Sequence, residues 1–234
     1  MASLTFSVVI PAYNEEKVIS ACLIAMLAQD YPASAYEVIV VDNASSDHTA
    51  DVVRTEFPQV RLVQEGRQGI AYARMAGIRA ANNEIIAATD ADTLVPPQWL
   101  SRMAARYADR RIVAVGGTLI YSGGKMWLEK AADGINRSYQ LVRHLPGANI
   151  SFRKSAYEAC GGYSPEINVG DDYYISRQLA RVGRLAFQND NTVITSARRF
   201  NTRNWFGDWC KYAINVSSIV LFKRALFIQH RNVR

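Results

Sequence analysis

Apolar residues fall into two rhythms along this chain, short unbroken runs and stretches in which they recur every three to four positions. Residues 5–10 form a β-rich run closed by Pro11, and residues 15–29 carry apolar side chains at helical spacing, which predicts a strand and then a helix. The pair recurs, with 37–41 as strand and 49–56 as helix, 60–63 as a short strand and 70–81 as an alanine-rich helix, and 85–89 as a fourth strand. Unbroken runs suit strands covered on both faces, and strands alternating with helices imply right-handed crossovers. The predicted class is α/β, with a mainly parallel central sheet flanked by helices and residues 1–95 as a nucleotide-binding half.

After Pro96-Pro97 the rhythm changes. A helix is expected over 99–107, strands over 112–115 and 118–121 on either side of Gly116-Gly117, a helix over 126–143 stopped by Pro146-Gly147, a strand over 149–152, and helices over 154–159 and 173–182. No Ser- or Gly-rich linker and no internal repeat intervenes, so residues 96–200 read as the second half of one unit. The tail, 201–234, mixes aromatics, aliphatics and bases and reads as an amphipathic helix. Its longest apolar stretch, 214–222, is cut by Lys223-Arg224 and is too short to span a bilayer. Trp205, Trp209, Phe222, Leu226 and Phe227 beside Lys211, Lys223 and Arg224 would suit an anionic membrane surface, while the preferred reading is an amphipathic helix docked on its own domain or on the second subunit of a homodimer.

Composition narrows the class. A chain of 234 residues, 49% hydrophobic and 21% charged, can bury a full core. Cys22, Cys160 and Cys210 form no Cys-x-x-Cys pair, and the chain opens on a strand-like run, so the expected setting is reducing and cytoplasmic, with attachment at the inner face of a membrane as a variant. The net charge of +6 favours anionic partners, but no nucleic-acid module accompanies it, and carboxylates at strand ends repel phosphate unless a metal intervenes. Nucleic acid is therefore not an expected partner.

The polar residues cluster where the early strands end. Pro11-Ala12-Tyr13-Asn14-Glu15-Glu16 follows the first strand, Asp42-Asn43-Ala44-Ser45-Ser46-Asp47 the second, and Asp90-Ala91-Asp92 the fourth. Loops at the carboxyl ends of parallel strands converge on one edge, where open α/β sheets bind ligands, and an acidic residue there can accept hydrogen bonds from a ribose or base. Paired carboxylates suit Mg²⁺ or Mn²⁺, which bind through one or two carboxylates plus substrate phosphates. Each of these residues also has a plainer reading, with Asn14 or Glu15 capping the first helix and Ser46 or Asp47 the second. No Gly-x-Gly-x-x-Gly follows the first strand, which argues against an NAD or FAD site.

These motifs together carry a resemblance. Val8-Val9-Ile10-Pro11-Ala12-Tyr13-Asn14-Glu15-Glu16, the run from Val40 through Asp42 to Thr49, the segment 66–77 with Gly69, Ala73, Arg74 and Gly77, Asp90-Ala91-Asp92, and Gly147-Ala148-Asn149-Ile150-Ser151-Phe152-Arg153 resemble, in order and spacing, a family 2 glycosyltransferase of the GT-A fold. The match runs from about residue 6 to residue 200. The resemblance implies that Ala12, Tyr13, Glu15 and Asp42, beside Pro11, line the base and ribose pocket of a nucleoside diphosphate sugar. It implies too that Asp90 contacts ribose or metal and that Asp92 holds a metal on the diphosphate. Arg67 and Arg74 could reach phosphate or form surface ion pairs.

Gly170-Asp171-Asp172 supplies the candidate base. Inverting transfer needs a carboxylate to take the acceptor's proton. The family usually has Glu-Asp here, with the second residue as base, so the resemblance implies Asp172 as base and Asp171 as its acceptor-supporting neighbour, one methylene shorter than usual. Read without the family, Asp171 caps the following helix and Asp172 meets its dipole. Where many GT-A enzymes place a metal-binding histidine, this chain has Thr195-Ser196-Ala197-Arg198-Arg199-Phe200, whose arginines cannot ligate a cation but could grip a diphosphate. His48, His144 and His230 show no metal-ligand spacing, and Trp127, Trp205 and Trp209 are candidates for stacking on a sugar. The expected activity is metal-dependent inverting transfer from a UDP- or GDP-sugar to a saccharide or lipid-linked acceptor. The alternative is a nucleotide-sugar-binding scaffold without transfer.

Overall fold

The computed structural model describes residues 4–124, 126–167, 169–198, 207, 214 and 218. Arg199 and nearly all of the tail, with Cys210, Trp205 and Trp209, lie outside the described residues, as does the side chain of Trp127. The expected surface, subunit or membrane contacts of the tail fall there too.

The chain runs β1 (Phe6–Ala12), α1 (Ile19–Leu27), β2 (Tyr36–Asp42), α2 (Thr49–Glu56), β3 (Arg61–Gln64), α3 (Ile70–Ala80), β4 (Ile85–Ala88), β5 (Thr93–Leu94), α4 (Trp99–Arg106), β6 (Ile112–Ser122), α5 (Met126–Leu141), β7 (Ile150–Arg153), α6 (Lys154–Ala159), α7 (Asp171–Val182) and β8 (Arg184–Ser196). All eight strands join one sheet in the order β3-β2-β1-β4-β7-β6-β8-β5. The first four are parallel neighbours, as the alternating rhythm predicts. Beyond β4 the sheet is mixed: β7 lies antiparallel between β4 and β6, and β8 runs parallel to β6.

The unbroken apolar runs are explained by cover on both faces. Val8 and Ile10 of β1, Val38 and Val40 of β2 and Ile85 and Ala87 of β4 pack with α1, α2 and α4 through Ile19, Leu23, Met26, Val53, Trp99, Leu100 and Met103. Their alternates Val9, Ile39, Val41, Ile86 and Ala88 pack with α3, α6 and α7 through Ala73, Ala76, Ile78, Ala156, Ile175 and Leu179. Gly77 lets α3 approach the sheet closely, because a Cβ at that position would overlap Val9 Cγ1.

Three expectations are corrected. Residues 112–121 form one strand with bulges at Ile112/Ala114 and Gly116/Thr118, not two strands parted by glycine. The long β8 and the two-residue β5, which pairs antiparallel with it, have no counterpart in the predicted elements. α1 begins at Ile19, so neither Asn14 nor Glu15 caps it.

Candidate active site

The register of β1 on β2 sets Ala12 level with Asp42, so the loops that follow leave the sheet side by side. They are sewn together. Asn14, with φ 55°, donates its N–H to Ser45 Oγ (3.0 Å) and accepts from Ser46 N–H (2.8 Å), while Glu15 N–H donates to Thr49 Oγ1 (2.7 Å) and Glu16 N–H to Asp47 Oδ2 (3.1 Å). Asp47 Oδ1 accepts from Thr49 N–H at the start of α2, whose N-cap position is His48. Asp42 is buried and accepts from Ser45 N–H (3.3 Å). Asn43 ties in the loop before α3, donating to the carbonyls of Glu65 and Arg67 and accepting from Gly69 N–H.

Arg74 organises the next layer. Carried inward on α3 and only 4% exposed, it donates from Nη1 to Asp171 Oδ2 (2.7 Å) and from Nη2 to Asp90 Oδ1 (3.3 Å), and its guanidinium lies 5.8 Å from the Tyr163 ring. Burial alone disfavours its charge, but Asp171, Tyr163, Asp90 and Asp172 more than offset this, so the guanidinium stays protonated. Gly147 lies flat against it, where any Cβ would run into both terminal nitrogens. Arg67, by contrast, is an exposed partner of Glu65, with Nη2 2.7 Å from Oε2, and lies over the Tyr72 ring.

Asp171 and Asp172 open α7, whose N-cap position is Gly170, so Asp171 is the first helical residue and not a cap. Burial pushes Asp171 up; Arg74 opposes this, while Asp172 and Asp90 reinforce it, and the net direction is upward. Burial also acts upward on Asp172, but the charge and contact of His144, then Arg74 and the Gly147 N–H, hold it well below the ordinary carboxylate range. His144 Nε2 lies 3.0 Å from Asp172 Oδ2, at ion-pairing distance but outside hydrogen-bond alignment. Gly147 N–H donates to the same oxygen (3.2 Å) and Tyr173 N–H to Oδ1 (2.8 Å). The two neighbouring carboxyls are thus shifted in opposite directions, Asp171 upward and Asp172 downward.

On the other side, β8 brings up Arg198. Thr93 bonds Thr195 across the β5–β8 pair (2.9 Å), and Ser196 N–H reaches the Asp92 carbonyl (3.3 Å). Arg198 Nη2 then ion-pairs with Asp92 Oδ2 (2.9 Å) and with Glu15 Oε1. Asp90 and Asp92 present side chains that are 37% and 14% exposed, and no group of three or more His, Cys, Asp or Glu positioned to hold a metal occurs among the described residues. This donor set fits Mg²⁺ or Mn²⁺, which take one or two carboxylates and complete their octahedron with water and phosphate. It does not fit a zinc cage.

The structure therefore gathers Asp90 and Asp171 onto Arg74, with Asp172 as a nearby charge, and Glu15 and Asp92 onto Arg198. Pro11, Ala12, Tyr13 and Asp42 lie at the β1 and β2 ends. His144, set aside in the sequence for lack of metal-ligand spacing, and Tyr163, given no role there, lie beside Asp172 and Arg74. The one signal for His144 was its place three residues ahead of Gly147.

Solved structures place this architecture. A mannosyltransferase, PcManGT from Pyrobaculum calidifontis, in complex with GDP-Man and Mn²⁺, matches with a TM-score of 0.76 at 25% identity, over 92% of this chain and 64% of that one. Staphylococcus aureus TarS in complex with UDP-GlcNAc shares the fold, with a TM-score of 0.74 at 18% identity over 94% and 67% of the two chains. The class is the GT-A fold. The sequence profile of glycosyl transferase family 2 matches residues 7–161, and the chain belongs to that family of glycosyltransferases. Among its relatives, the glycosyltransferase AglE of Haloferax volcanii is 31% identical over 205 residues, 83% of this chain and 67% of that protein. The glucosyl-dolichyl phosphate glucuronosyltransferase of the same organism is 27% identical over 194 residues, 75% and 61% of the two chains. The chain thus spans about two-thirds or less of the length of these relatives.

Proposed function

We propose that this chain is a metal-dependent, inverting glycosyltransferase that moves a sugar from a UDP- or GDP-sugar to an acceptor hydroxyl or a lipid phosphate. The observation that carries the reading is the Arg74 bridge, which joins Asp90, at the strand ends, to Asp171, the neighbour of Asp172. Ala12, Tyr13, Glu15 and Asp42 hold the base and ribose, and Asp92 with Asp90 would hold the divalent ion. When bound, that ion supplies Lewis-acid neutralisation of the charge developing on the nucleoside diphosphate. The complex of PcManGT with GDP-Man and Mn²⁺ supports this choice of donor and metal, and a relative named as a glucosyl-dolichyl phosphate glucuronosyltransferase supports a lipid-linked acceptor.

With a hydroxyl acceptor, Asp172 takes the proton as the acceptor oxygen bonds to the anomeric carbon. The bond from that carbon to the diphosphate breaks on the opposite face, and its electron pair departs with the nucleoside diphosphate. A base that stays ionised is required, and the surroundings of Asp172 favour that form. Arg198 can exchange its carboxylate partners for the diphosphate oxygens.

Asp172→Asn tests the base. Nucleotide binding measured by calorimetry is expected to persist, while turnover falls by about 10² or more, the range a positioned base contributes. Normal transfer by this variant would overturn the assignment.

A further inference from the structure

His144 is a buried imidazole that the reaction as written does not use. It stands in the loop between α5 and β7, its backbone N–H bonded to the Tyr139 carbonyl (2.8 Å), and its ring is wedged edge-on between Tyr139 (centroids 4.5 Å apart) and Tyr173 (5.5 Å). That packing leaves the ring little freedom to turn. Its Nε2 faces Asp172 Oδ2 at 3.0 Å, and the histidine side chain is only 3% exposed, against 21% for the aspartate. The imidazole therefore stands behind the carboxylate, away from solvent.

The loop that carries His144 is clamped to the same turn of α7. Leu145 N–H donates to Ser176 Oγ (2.9 Å), Ser176 Oγ donates to the Asp172 carbonyl (2.6 Å), and Gly147 N–H reaches Asp172 Oδ2. Distance, enclosure and a doubly anchored loop thus converge on one carboxylate oxygen. We infer that His144 is a positioning residue that holds the Asp172 carboxylate in the orientation from which it takes the acceptor's proton. This rests on Asp172 being the base. The proton moves from the acceptor oxygen to Asp172, and His144 gives up and receives none.

The groups facing Asp172 are His144 and the Gly147 N–H from the loop, Arg74 from α3, and Asp171 and the Tyr173 N–H from α7 itself. Without the imidazole, Arg74 and two N–H groups still favour the anion, while burial and Asp171 oppose it. The acid limb of the rate profile should therefore move to higher pH.

The experiment compares His144→Phe, which keeps a ring between the tyrosines, with His144→Gln, which keeps an N–H near the position of Nε2. It reads kcat against pH, donor affinity and thermal stability, with Asp172→Asn in parallel. For the Phe variant the expected result is a loss of about tenfold in kcat, part of the ~10²–10⁴ supplied by a positioned base, with the acid limb moved upward and donor affinity kept within about twofold. The Gln variant should recover most of kcat. Wild-type kcat and an unmoved acid limb in the Phe variant would overturn the inference, as would equal losses in both variants with the limb unmoved, which mark a space-filling ring. If the Phe variant does not fold, His144→Asn, too short to reach Oδ2, replaces it with the same expectations. Full turnover by Asp172→Asn would instead remove the base reading itself.

Discussion

Arg74 shows how much one residue type decides at this site. A guanidinium can serve two carboxylates at once through its planar fork, and here it holds Asp171 and Asp90 from a fully buried position. Replacing it by methionine leaves Asp171 buried without its cation. The expected loss is about 3–5 kcal/mol of folding stability by denaturant titration, the usual cost of halving a buried ion pair. Arg67→Ala, which removes a solvent-exposed guanidinium from the buried Glu65 carboxylate, is expected to cost clearly less. Similar losses for the two variants would contradict the contrast. Cys22 carries a second expectation. Burial first, then the charges of Asp92 and Asp90, push its thiol up to about 12, so at pH 8 it stays protonated and enclosed. Maleimide treatment of the native protein, followed by peptide mass spectrometry, should modify the half-buried Cys160 ahead of Cys22, with Cys22 reacting only in denaturant. Rapid native labelling of Cys22 would show that the helix–sheet packing around it is open.

Among the elements, α3 is the one whose placement everything else depends on, since it carries Arg74 and rests on β1 and β2 through Gly77. Gly77→Ala is expected to cost about 1–3 kcal/mol by overpacking against Val9. Val9→Ala in the same chain should recover part of that loss, giving a non-additive double-mutant cycle in urea titrations, whereas strict additivity would contradict the close approach. This helix was legible in the sequence, as were β1, β2, β4, α2 and α6, because each has an unbroken apolar run or helical periodicity of its own. β8 was not. Its apolar pieces, Leu185-Ala186-Phe187 and Val193-Ile194, are separated by Gln188-Asn189-Asp190-Asn191-Thr192, and the strand is held by pairing with β6 over 184–187 and again over 192–196. The site divides in the same way. Asp90, Asp92, Asp171 and Asp172 stand in local motifs, but the role of His144 arises from a loop folded against α7, and the pairing of Arg198 with Glu15 from the distant ends of β8 and β1. The Arg198–Glu15 contact leaves no trace in local spacing, and His144 leaves only its place three residues ahead of Gly147.

At the scale of the molecule, the sheet is the device that brings the two groups of carboxylates together. Its parallel half ends at Asp42 and in the loops that carry Glu15, Asp90 and Asp92, and beyond it β7 lies antiparallel between β4 and β6, with Asp171 at the start of α7 tied back to Arg74. Thr89 Oγ1, donating to the Ala148 carbonyl (2.9 Å), pins the two halves where they meet. No helix among the described residues is long and apolar enough to cross a membrane. The most direct test of metal-dependent sugar transfer is nucleoside diphosphate release from a panel of UDP-, GDP- and dTDP-sugars, with Mn²⁺, Mg²⁺ or EDTA, by the wild type and by Asp92→Ala. The expected result is release from one donor that requires the metal and is lost in the variant. Release that continues undiminished in EDTA and in Asp92→Ala would contradict the metal role of Asp92, and a protein that binds nucleotide with metal yet releases no diphosphate even with acceptors supplied would contradict transfer itself.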